Sequence, residues 1–202
     1  MKSSWDYTQD IIGYVIDKQP STQSAMLHAI NVLAPHLSNK TSKIIQTIDF
    51  GAWEKKLLAH LSLVLSKEPP PIETVAFYFG LFDQQTGLLH KYEHQTMYIC
   101  GADHFASDDD DGEWACGPIW FPRHRYFPCS LYKKFSRFEE PNDLMTGFIL
   151  AQTFAAAFAL TAAPLLARSV DADRHPVPVA CGHDAGGLFV ICYATPEGIE
   201  KP

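Results

Sequence analysis

The chain has 202 residues, 47% hydrophobic and 19% charged, which suits one folded domain and excludes wholesale disorder. Its 23 acidic and 16 basic side chains leave a formal charge of −7. An acidic chain without a dominant basic block is not the composition of a general nucleic-acid binder.

The first 70 residues read as a helical front. Residues 5–17 form an amphipathic segment. Ser21 is placed to cap a helix running to Leu33, with Met26, Ala29, Ile30 and Leu33 on one side and Pro35 at its end. Trp53, Leu57, Leu58, Leu61, Val64 and Leu65 follow the helical repeat in a further helix, which Asp49 is placed to cap. Pro69, Pro70 and Pro71 then break the helix and mark the start of an α+β core over residues 72–195.

Beyond the prolines the pattern changes. Thr74 to Phe82, rich in aromatic and β-branched residues, predicts a buried strand. Asp83 to Gly87 reads as turn chemistry, and His90 to Cys100 returns as a second strand. Residues 102–142 show little periodicity but carry Phe105, Trp114, Trp120, Phe121, Tyr126 and Phe127. So many aromatics in so long a loop predict an ordered loop wrapped over the sheet. No charged residue occurs from Leu144 to Ala167, a stretch long enough to cross a bilayer. Its Ala content, its Thr and Gln residues and the strands on either side predict instead a helix buried against a sheet, capped by Asn142 or Asp143. Val177 to Cys181 and Leu188 to Tyr193 predict a second hairpin around Asp184-Ala185-Gly186-Gly187. The expected fold is a single α+β domain over 1–202, with a mainly antiparallel sheet of four or more strands.

The cysteines, Cys100, Cys116, Cys129, Cys181 and Cys192, stand at irregular spacing without a C-x-x-C pair. They read as reduced thiols of a reducing compartment. The first residues lack the apolar run of a secretory signal, so the expected location is cytoplasmic.

No phosphate loop, dinucleotide fingerprint, nucleophile elbow or H-E-x-x-H helix occurs, and the expected cofactors are none. Asp108-Asp109-Asp110-Asp111-Gly112-Glu113 invites a calcium loop. With Gly112 at position six, however, position twelve is Pro118 and the closing Glu is missing. His104, Cys116, His124 and Cys129 are the residue types of a zinc site, but at spacings that match no compact ligand pair. A Cys–His hydrolase would draw on Cys116 or Cys181 with His124 or His183. There, Asp184 next to His183 points to the opposite face unless the chain turns, and the turn residues that follow predict a loop. Arg123, His124, Arg125, Lys133, Lys134 and Arg137 form a basic cluster expected to pair internally with the acidic run.

Charge by position sharpens the picture. Residues 102–202 hold 14 acids and 8 basic side chains, against 9 and 8 in the first half. Six of those acids (Asp103, Asp108, Asp109, Asp110, Asp111 and Glu113) lie between 103 and 113 with no Lys or Arg among them. The acidity belongs to one loop.

Met97-Tyr98-Ile99-Cys100-Gly101-Ala102, Phe105, the acidic run, Trp114-Ala115-Cys116, Phe121-Pro122 and Arg125-Tyr126 resemble a group of small acidic bacterial proteins. Some of these belong to the immunity-protein repertoire of polymorphic toxin systems. Gly182-His183-Asp184 through Leu188-Phe189-Val190 is similar to their final hairpin. The likeness covers about residues 75–193 and carries no catalytic residues. It implies a cytosolic α+β protein that acts by binding a partner. The expected function is therefore a non-catalytic, immunity-type inhibitor whose partner is a basic toxin, with no nucleic acid and no membrane. Asp108, Asp109, Asp110, Asp111, Glu113, Trp114 and Trp120 are its expected contact residues. The alternative is a Cys/His metal protein or hydrolase centred on His104, Cys116, His124, Cys129 and His183.

Overall fold

The computed structural model describes residues 2–86, 91–106, 112–136, 138, 145–170, 176–184 and 186–202. The front holds α1 (Ser4–Lys18), α2 (Thr22–Leu33), α3 (Asn39–Gln46) and α4 (Phe50–Lys67). Each start is closed by a short polar side chain that accepts an otherwise unpaired backbone N–H: Ser3, Ser21, Ser38 and Asp49. Ser3 and Asp6 form a reciprocal capping box. The expected caps Ser21 and Asp49 are observed, whereas α3 was not expected.

The sheet has five strands in the order β2-β1-β3-β4-β5, from β1 (Ala76–Thr86), β2 (Lys91–Ala102), β3 (Val177–His183), β4 (Gly186–Ala194) and β5 (Ile199–Glu200). The hairpins β1–β2 and β3–β4 and the short β4–β5 pair are antiparallel, and β1 and β3 run parallel. The fold is thus α+β with a mixed, mainly antiparallel sheet. A parallel pair needs a crossover, and here it includes α5 (Ser130–Phe135) and α6 (Thr146–Ala167).

Several boundaries differ from expectation; in the second hairpin β3 runs on to His183 and β4 begins at Gly186, inside the expected turn. Asp83 to Thr86 continue β1 as ladder partners of Gln95 to Lys91 rather than forming the turn, and Val75 precedes the strand and is exposed. Polar residues are tolerated there because the antiparallel ladder itself satisfies the backbone groups. The expected caps Asn142 and Asp143 lie outside the described residues; the first residue of α6 is Thr146.

α6 is long and apolar enough to cross a membrane, yet it lies buried inside the fold. It packs against α1 and α2 on one side and β3 and β4 on the other. A helix enclosed by two layers has no polar face to present, which explains a segment that is apolar all round. Its many Ala residues let both layers approach closely. Phe77, Phe79, Leu81, Met97, Ile99, Val179 and Cys181 face it from the sheet, in one apolar cluster with Ile11, Met26, Leu57 and Leu61 of the front helices. Ile191 and Cys192 both join that cluster because a bulge shifts the β3–β4 register opposite Val179 and Ala180.

Candidate functional site

Strand residues alternate between faces, so the other face of the sheet carries a second, smaller cluster: Ala76, Tyr78, Cys100, Ala102 and Ala180. The predicted ordered loop covers it. A single turn at Glu113–Ala115 drops Trp114 onto this cluster, and Phe105 packs edge-on to Trp114 with centroids 5.2 Å apart.

Further along, the loop runs antiparallel beside β2. The Gly101 and Trp120 backbones exchange hydrogen bonds of 2.9 and 3.0 Å. Ile99 N–H donates to the Arg125 carbonyl and Phe127 N–H to the Met97 carbonyl. The edge of β2, otherwise a row of unpaired backbone groups, is thereby closed. Helix α4 and Glu68, its C-cap, hold this stretch. The Trp120 indole N–H donates to the Glu68 carbonyl (2.9 Å), the Glu68 carboxylate accepts from Arg123 N–H (2.9 Å), and His60 Nε2 contacts the His124 carbonyl (3.0 Å).

Between loop and sheet lies a cavity of about 550 Å³, whose lining includes Trp5, Tyr78, Tyr98, Cys100, Cys116, Phe121, Asp184 and Leu188. Its floor follows from one cross-strand row: Tyr98 on β2 stands opposite Gly80 on β1, which stands opposite Gly182 on β3. Without a Cβ on Gly80 the Tyr98 ring lies across β1, and its hydroxyl donates to Asp184 Oδ1 at 2.8 Å. On the opposite rim Trp5 lies against Gly187, which adopts φ 81°, and packs on Phe189 with centroids 5.4 Å apart.

Gly80→Ala tests this arrangement. The added Cβ would stand 2.2 Å from Tyr98 Cζ, so the ring must leave and the bond to Asp184 breaks. The expected cost is about 1–3 kcal/mol in urea unfolding. Combined with Tyr98→Ala it should cost clearly less than the two single changes together, because the clash and the ring disappear at once. Strict additivity would show that the two residues do not act as a unit.

Burial, and next the Asp184 charge, push the Tyr78 hydroxyl far above the usual tyrosine range; for Tyr98, burial and then the hydrogen bond to Asp184 do the same. Burial followed by Asp184 pushes the Cys100 thiol up to about 12, against a smaller opposing effect of Arg125. These walls therefore stay protonated, and Cys100 is a thiol rather than a nucleophilic thiolate.

Two of the expected contact residues are buried. Trp114 and Trp120 are only 1% and 5% exposed: they anchor the loop and do not face solvent. An indole has a large apolar area that the sheet buries, and its single donor is easily satisfied. The aromatics that face outward are Phe121 (49%) and Tyr126 (44%). The Arg125 guanidinium stacks on both, 3.7 Å from the Phe121 centroid and 4.5 Å from that of Tyr126. Glu113 is exposed beside Trp114. Asp108 to Asp111, the core of the acidic run, lie outside the described residues between Ala106 and Gly112, and so does the acidic half of the expected internal pairing.

The Cys/His set is not brought together. Among the described residues no three His, Cys, Asp or Glu side chains stand close enough to hold one metal ion. His104 pairs with its neighbour Asp103 at 2.9 Å, Cys129 is buried and pushed by that burial up to about 11, and Cys116 and His124 are exposed at separate points of the loop. His183 is the buried last residue of β3 and not part of a loop. Its ring turns to Asp83 (3.5 Å) and Phe148 on the helix side, whereas Asp184 turns to Tyr98 on the far side. The five cysteines form no disulfide, and Cys181 is buried with its thiol pushed well up by that burial.

Tyr78, Tyr98, Asp184 and Trp5 were missed as a group. The signal for them was the Gly80–Tyr98–Gly182 row, which requires the strand register. Comparison with protein-family models, with curated proteins and with solved structures finds no match to this chain.

Proposed function

We propose that the protein is a non-catalytic binding protein that recognises another protein through the loop-covered face of its sheet, in the manner of an immunity-type inhibitor. The observation that carries this reading is the pair of outward-facing rings, Phe121 and Tyr126, with Arg125 stacked between them. Aromatic residues and Arg are the residue types that dominate binding energy at protein interfaces. These three are held in place by the β2 edge and by α4, so little conformational freedom is lost on binding.

The acidic run Asp108–Asp111 and Glu113 belongs to the same loop and adds long-range attraction for a basic partner such as a toxin, chiefly raising the rate of association. The setting is a cytoplasmic one, as the reduced thiols and the likeness to immunity proteins suggest.

The test is capture of a partner from cells that express the chain, at low and high salt. Phe121→Ser with Tyr126→Ser is expected to abolish capture at both salt concentrations. Neutralising Asp108 to Asp111 is expected to weaken it mainly at low salt. Capture that survives both sets of changes overturns the reading.

A further inference from the structure

The far-face cavity shares Phe121 with the partner-binding surface but adds Trp5, Tyr78, Tyr98 and Asp184, which that reading does not use. Among the described residues its lining holds the rings of Trp5, Tyr78, Tyr98 and Phe121, one carboxylate, Asp184, and His183, with no Lys or Arg. Tyr98 stands edge to face with both Tyr78 and Phe121, at centroid distances of 6.0 and 6.2 Å, so the rings present faces in different directions. A ring face is electronegative and attracts a cation, and a carboxylate beside it supplies the counter-charge. Asp184 is exposed to the cavity mouth, and among the described residues its side chain is bonded by the Tyr98 hydroxyl alone. A carboxylate has about four acceptor positions, so capacity for a charged donor remains.

The same wall already shows this preference. The Arg125 guanidinium stacks on Phe121 from outside the cavity. Cys100, inside it, is raised first by burial and then by the Asp184 charge, with Arg125 opposing. The size is also right, since cavities of roughly 300–1,000 Å³ are typical of small-molecule sites.

We propose that this cavity binds an organic cation, an ammonium or guanidinium group seated against the Trp5 and Tyr98 rings with Asp184 as its counter-ion. Two sources share that chemistry: a Lys or Arg side chain of a bound protein, or a free amine.

The test is a titration of the full chain, followed by tryptophan and tyrosine NMR signals, with four probes. These are choline, its uncharged isostere 3,3-dimethyl-1-butanol, and lysine and arginine blocked at both backbone ends. Saturable binding of at least one cation is expected, with none of the isostere. Tighter binding of choline assigns the site to free amines, and tighter binding of a blocked amino acid assigns it to a partner's side chain.

Asp184→Asn keeps an acceptor for Tyr98 and is expected to weaken the cation about ten-fold. Trp5→Leu, a change at the rim, is expected to weaken it as well and serves where Asp184→Asn does not fold. Equal binding of the isostere, no saturation by any cation, or unchanged affinity in the folded variants overturns the proposal. A cavity that takes no cation leaves the Phe121–Tyr126 surface standing, and a failed capture experiment leaves the titration result standing.

Discussion

Phe158→Ala is expected to destabilise the protein by about 3–5 kcal/mol, the range for deleting a buried phenyl ring. Phe158 sits in the middle of α6 with no exposure. Its ring lies 5.5 Å from that of Phe79 on β1 and 5.5 Å from that of Phe127 on the covering loop. Phe79 and Phe127 themselves are 5.9 Å apart, so the three rings join the central helix, the central sheet and the loop at one point. Removing the middle ring leaves a void that the Ala-rich neighbours on α6 are too small to fill. Domains of this size carry roughly 5–15 kcal/mol in all, so the variant should lose a third or more of a typical stability. Phe158→Leu should cost about half as much, since most of the volume returns. Urea unfolding followed by circular dichroism checks both. A cost below about 1 kcal/mol for Phe158→Ala would mean that α6 is not the packing centre.

The second large effect is alkaline unfolding. Cys100, Cys129, Cys181 and Cys192 are all buried. Burial is the leading cause that pushes Cys100 and Cys192 up to about 12 and Cys129 up to about 11, and it raises Cys181 as well. A raised folded-state pKa means that above about pH 8.5–9 the unfolded chain loses protons that the folded chain keeps. The stabilisation is therefore whole below that pH and is lost as the pH climbs toward the folded values. Each thiol contributes a loss of about 1.4 kcal/mol per pH unit in this window. Four together approach roughly 5 kcal/mol per unit, which is comparable with the total stability. Tyr132, fully buried and pushed well up by that burial, acts in the same direction at higher pH. Cooperative unfolding is expected between about pH 10 and 11, with thiolate absorbance appearing in the same transition. Thiolates that form before the helical signal is lost would show that the buried cysteines are reached without unfolding.

Much of the helical front could be read from the chain. Ser21 and Asp49 cap where expected because a cap is a contact across three residues, made whatever the rest of the molecule does. Pro69 to Pro71 end α4 for equally local reasons. The charge-free segment was recognisable as a helix for burial, since strands on either side of it require a common core.

The site was less legible. Trp114, Trp120, Phe121 and Tyr126 are similar in composition, and nothing within five residues of each decides which go inward. The decision falls to the Gly101–Trp120 exchange at the β2 edge and to Glu68, the residue that follows α4, partners 19 and 52 residues away from Trp120. Likewise Tyr98, Gly80, Gly182 and Asp184 span some 100 residues and meet through the parallel pairing of β1 with β3.

The chain alone was enough to place α2, α4 and the caps Ser21 and Asp49, the two hairpins, the buried central segment and the concentration of acid in one loop. All of these depend on neighbours a few residues apart. Which aromatics anchor the loop and which face outward depends on long-range packing. It alone turned His183 and Asp184 to opposite sides and made a row of two glycines and a tyrosine the floor of a cavity. Those outcomes rest on strand register and on packing between distant segments, where displacement by one residue would send each side chain to the other face.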